Sequence, residues 1–146
     1  METEVTVESV QNRAKFDFLK RALIIILILA VLAGLFFVFA ALKSESRFAL
    51  RNAKNALFAI ETVGIQHRGY GSVIFTRRSM DGFAEGVLEE VKTLSGCQGE
   101  LRIMDYDAET NEVIRMTYRE EHFLVSYDRN QDKNWTLELI IKLETL

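Results

Sequence analysis

The chain has 146 residues, 49% of them hydrophobic and 27% charged, with a formal net charge of -3. That length suits one ordinary domain, and the charge balance excludes a broadly basic surface for nucleic acid. A single cysteine, Cys97, excludes an intrachain disulfide, and the absence of proline excludes a proline-rich stalk while leaving a long helix uninterrupted.

Residues 1–21 form a polar tail in which Glu2, Glu4, Glu8 and Asp17 offset Arg13, Lys15, Lys20 and Arg21. From Ala22 to Leu42 the chain then reads ALIIILILAVLAGLFFVFAAL without a charge. About twenty such residues match a hydrocarbon core of about 30 Å at helical rise, and a helix satisfies every backbone polar group internally. Lys20, Arg21 and Lys43 bracket the run with heads that reach an interface. The reading is a single-pass transmembrane helix over 22–42 and a soluble head over 43–146. A secretory signal would share the Lys20-Arg21 pair and the Val38-Phe39-Ala40 context, but its apolar region is usually only about 7–15 residues.

The positive-inside count ties, because Arg13, Lys15, Lys20 and Arg21 are matched by Lys43, Arg47, Arg51 and Lys54. The basic pair abutting the run, and the usual dominance of a first helix, tip the balance toward an extracytoplasmic head. Within the span, Ala30, Gly34 and Ala41 are small residues on one face, which lets another helix approach closely. The expected partners are lipids and other membrane helices, either copies of the chain or parts of a membrane complex, and no nucleic acid.

After Lys43 the sequence turns amphipathic, with Leu50, Ala53, Leu57 and Ile60 at helical spacing and no breaker until Gly64. The anchor is expected to continue as one rod to about Val63, its rear part serving as the spine of the head. Gly69 and Gly71 mark a turn, and Val73-Ile74-Phe75 reads as a strand or a packed loop. A second helix is predicted from Ser79, as N-cap, through Phe83, Val87, Val91 and Leu94 to Gly96.

From Glu100 the apolar period changes to two, with runs at Leu101/Ile103, Ile114/Met116/Tyr118, Phe123/Val125/Tyr127 and Leu137/Leu139/Ile141/Leu143. Short polar links at Ala108–Asn111, Arg119–Glu121 and Asp128–Asn134 favour an antiparallel four-stranded meander with one face on the helices. The predicted class is therefore α+β.

Chemistry is sparsely marked. His67 and His122 stand apart from any metalloprotease, P-loop or nucleophile-elbow pattern. Cys97 follows a helix C-terminus, which disfavours a thiolate, and reads as a small packed residue. Asp105/Asp107/Glu109 and Asp128/Asn130/Asp132 resemble the opening of a calcium loop, but Thr110 or Lys133 stands where Gly belongs and Met116 or Leu139 where Glu belongs. Arg77 and Arg78 are candidates for contact with lipid phosphate or an acidic partner. The chain is expected to be no enzyme and to carry no cofactor.

A long N-terminal helix, apolar then amphipathic, followed by a connecting loop region and a four-stranded antiparallel sheet, resembles the type IV pilin and pseudopilin plan over Ala22 to Leu146. The Lys20-Arg21-Ala22 junction before Leu23 is similar to the site that archaeal prepilin peptidases cut. The family's glutamate near the start of the mature helix has no counterpart in LIIILILAV, and its pair of C-terminal cysteines is missing. The resemblance implies a structural subunit of a surface filament or secretion pseudopilus, assembling through its helix. An accessory subunit of a larger membrane complex is the alternative. A ligand-binding head is a third reading and requires a pocket at the loop around His67 to Tyr70.

Overall fold

The computed structural model describes the backbone of residues 2–140 and the side chains of residues 18–140. It contains two helices, α1 (Glu2–Gly69) and α2 (Val87–Ser95), and four strands, β1 (Glu100–Asp107), β2 (Glu112–Glu120), β3 (Phe123–Asp128) and β4 (Trp135–Leu139). The chain divides into two compact units between Lys43 and Ser44.

In the first unit, every large apolar side chain from Leu23 to Phe39 is more than half exposed. Among the described residues this is the one helix long and apolar enough to cross a membrane. Nothing among the described residues covers these side chains, so their burial is left to the surroundings.

The second unit is an α+β head. Its four strands lie in the order β1-β2-β3-β4, each antiparallel to its neighbour, as the period-two pattern and short links predict. Two cross-strand rows build the inner face: Leu101, Tyr118, Val125 and Leu137 in one, Ile103, Met116, Tyr127 and Trp135 in the other. Against this face the head's part of α1 buries Ala49, Ala53, Ala56, Ala59, Ile60 and Val63. Ala53 and Ile60 of the predicted stripe are buried, but its leucines are not. Leu50 and Leu57 are only half-buried, because the small side chains let the helix settle onto the sheet and leave the leucines at its flanks.

Three polar clasps fasten helix to sheet. Asn52 Nδ2 donates to both Glu120 oxygens at 3.1 and 3.0 Å, Asn111 Nδ2 donates to the Glu61 carbonyl at 2.8 Å, and Arg68 donates to the Glu109 carbonyl at 2.7 Å. Asn111 is buried, and its Oδ1 accepts from the Tyr106 hydroxyl. Gly64 does not stop α1, which runs on to Gly69. A Cβ at Gly64 would collide with Asn111 Oδ1 and the Tyr106 hydroxyl, so glycine here makes room for the clasp.

Three further expectations are corrected. The second helix begins at Val87, not Ser79. Gly82 and Gly86 both have φ of 81°, outside the right-handed helical region, and a Cβ at Gly82 would strike the Ile103 carbonyl. Ser79 and Asp81 instead shape a loop, with the Ser79 hydroxyl and the Phe83 N–H both donating to Asp81 Oδ1. On β2 the buried residue is Val113 and not Ile114, because the β1–β2 pairing skips Met104 and then Ile114, which switches the face. β4 is apolar but poorly covered, with Leu137 37% and Leu139 47% exposed. Ile141 and Leu143 of the predicted fourth run lie outside the described residues.

Candidate functional site

Three places could carry function. The first is the small face of the apolar segment. Ala30, Gly34 and Ala41 are exposed on α1, and a Cβ at Gly34 would meet nothing within 4 Å. Their spacing puts them on one side of the helix, where a second helix can approach.

The second is the loop joined by the Phe75–Phe83 bridge. The Thr76 N–H donates to the Gly82 carbonyl at 3.0 Å, and the Ile103 N–H of β1 donates to the Asp81 carbonyl at 2.8 Å, so the loop is bonded to the sheet edge. Arg77 and Arg78 are exposed on it and form no ion pair with a described residue. Burial pushes the Asp81 carboxyl up, but the bonds from Ser79 and Phe83, with Arg102 nearby, together hold it below its ordinary value.

The third lies where α1 ends. His67 belongs to the last turn of the helix and not to the loop that follows. Its Nε2 is 2.8 Å from Glu90 Oε2 on α2, and its Nδ1 is 3.0 Å from the Ser72 hydroxyl, which also lies 3.1 Å from the His67 carbonyl. Gly71, with φ of 72°, reverses the chain so that Ser72 folds back over the helix end, and the Ser72 N–H donates to the His67 carbonyl at 3.0 Å. Ser72 also lines a cleft of about 280 Å³, together with Ile74, Phe75, Tyr106 and Arg68. The glycine-rich turn therefore does border a pocket, through Arg68, Gly71 and Ser72.

The other marked residues do not converge with these. His122 is exposed, and its carbonyl accepts from the Ile140 N–H at 2.6 Å. Cys97 is buried and accepts from the Ser95 hydroxyl at 2.9 Å. Asp107 Oδ1 accepts from the Glu109 N–H at 2.8 Å and Asp128 Oδ1 from the Asn130 N–H at 3.0 Å, so these carboxylates shape turns. The Glu109 and Thr110 bonds hold the Asp107 carboxyl below its ordinary value. Sequence reasoning missed the grouping of Ser72, His67 and Glu90, which lie on three separate segments. Only the neighbouring His67 and the GYGS turn signalled it.

Comparison with known proteins finds no matching family model, no matching curated protein and no matching solved structure.

Proposed function

We propose that the chain is a single-pass, membrane-anchored structural subunit of a pilus-like filament or secretion pseudopilus, assembling through the apolar segment of α1. The observation that carries this reading is the contrast in cover. The head buries its own apolar core, whereas Leu23 to Phe39 project outward on all sides with Ala30, Gly34 and Ala41 on one face. Lipid receives such a surface before assembly, and neighbouring helices receive it afterwards. The Lys20-Arg21 pair supports a head on the extracytoplasmic side.

Mass spectrometry of the native N-terminus tests the processed form, which is expected to begin near Leu23. Disulfide crosslinking of a Gly34→Cys variant in native membranes is expected to give dimers of the chain with itself. An intact tail together with crosslinks only to other proteins would remove the filament reading.

One observation favours the accessory-subunit alternative. The helix α1 also includes Glu2 to Arg21, a charged extension for which a packed filament core has no room unless it is cut away. An uncleaved chain giving defined hetero-pairs would establish that second reading.

A further inference from the structure

The cluster at the end of α1 has the connectivity of an acyl-transfer centre. Three side chains from three segments meet in order: a hydroxyl, an imidazole and a carboxylate. If the imidazole is neutral, its one N–H satisfies Glu90 from Nε2, which leaves Nδ1 as an acceptor facing Ser72. The Ser72 hydroxyl can turn between Nδ1 at 3.0 Å and the His67 carbonyl at 3.1 Å, and only the first bond primes it for attack.

The surroundings supply what else such a centre requires. Ser72 is exposed and opens onto the cleft of about 280 Å³, whose wall includes Val73, Ile74, Phe75 and Tyr106. That volume lies just below the range of drug-sized sites, which suits a small ester with an apolar acyl chain. Val73 and Arg68 line the same cleft. The Val73 N–H, next in the chain after Ser72, donates to no backbone carbonyl among the described residues, and Arg68 uses one guanidinium nitrogen on Glu109 and has others to offer.

We propose that Ser72 and His67, positioned by Glu90, hydrolyse small carboxylic esters seated in this cleft. Ser72 Oγ bonds to the ester carbonyl carbon while its proton passes to His67 Nδ1. Collapse of the tetrahedral species breaks the bond to the alcohol oxygen, which leaves with that proton. Water then attacks the acyl-serine and gives a proton to Nδ1, and Ser72 Oγ departs and recovers it. The sum is ester plus water to acid plus alcohol, with no other reactant.

The test uses the full chain in detergent micelles, with p-nitrophenyl butyrate as substrate and a fluorophosphonate as covalent probe. Hydrolysis above the micelle blank is expected, with the phosphonate mapped to Ser72. Ser72→Ala and His67→Gln should each lose on the order of 100-fold in rate. Glu90→Gln should lose roughly 10-fold in kcat with KM unchanged, since it removes orientation and charge support and not a substrate contact. Ser95→Ala serves as a control that should keep full rate, and unchanged thermal melting of the Ser72→Ala variant separates lost chemistry from lost fold. Hydrolysis no faster than the blank, a rate unchanged in Ser72→Ala, or labelling at another residue would each overturn the proposal.

Discussion

The two halves of α1 use opposite means to the same end. From Leu23 to Phe39 large side chains point outward on every side, whereas from Ala49 to Val63 a narrow stripe of mostly alanine points inward. Surface that meets a fluid apolar medium needs no shape complementarity, so bulk serves it best. A sheet is a fixed partner, and the residue that suits it is the one small enough to let the backbone close in. Equal changes at corresponding positions should therefore have unequal effects.

The sharpest test replaces glycine in each half. Gly64→Val should destabilise the head by about 3–4 kcal/mol, because it forces apart Asn111 and Tyr106 and leaves buried polar groups unpaired. Gly34→Val should leave head melting unchanged while weakening disulfide crosslinking through an Ala30→Cys reporter in the span. Equal melting temperatures for the two variants would break the comparison.

Charge tests it from the other side. Leu32→Arg, in the middle of the apolar run, should oppose membrane insertion by about 3 kcal/mol, read by glycosylation-site mapping in microsomes. Phe58→Arg, at a side chain 70% exposed on the head, should alter neither insertion nor stability measurably. Size gives a smaller effect: Ala53→Leu overpacks the helix–sheet contact and should lower head stability by about 1–3 kcal/mol in denaturant unfolding. Ala33→Leu should be neutral in the same measurement.

Two pH effects sharpen the account of the head. Tyr118 is fully buried, and burial pushes its hydroxyl up to about 12, against a smaller opposing effect of the Gly99 N–H that donates to it. A raised folded value means that its contribution is complete below pH 10 and is lost as pH climbs toward 12. Tyr118→Phe should remove that alkaline slope from melting curves. Asp81 has the opposite sign and the smallest effect. Its carboxyl is held below 3.8, so its contribution is present above that pH and fades as pH falls through the lower folded value. Asp81→Asn should flatten the acid limb by a small amount only, since burial opposes the hydrogen bonds that lower the carboxyl.

Much of the fold was legible because its signals are dense. An uncharged run of helix formers, and four apolar alternations separated by polar turns, leave few alternatives. The errors fall where the signal is faint or the deciding contact is remote. Alanine contributes little to an apolar pattern, so Leu50 and Leu57 marked places in the buried stripe that Ala49 and Ala56 occupy. Ser79, Asp81 and Phe83 satisfied helical rules, yet Gly82 is pressed against the Ile103 carbonyl of β1 in a conformation no helix contains. Alternation on β2 pointed to Ile114 because a skipped residue in a pairing leaves no mark in either strand alone. The cluster of Ser72, His67 and Glu90 was hidden for the same reason: a turn after Gly69 and the docking of α2 bring it together.

The order and type of elements, the antiparallel meander and the apolar character of 22–42 were determined by the sequence itself, because each follows from the local period of side chains along a backbone with few conformations. Which neighbours of Ala53 and Ile60 meet the sheet, where α2 starts, which residue of β2 is buried and which groups gather at the end of α1 were decided by tertiary structure alone. Those outcomes depend on the distance of closest approach between segments far apart in the chain, and local periodicity carries no information about that distance.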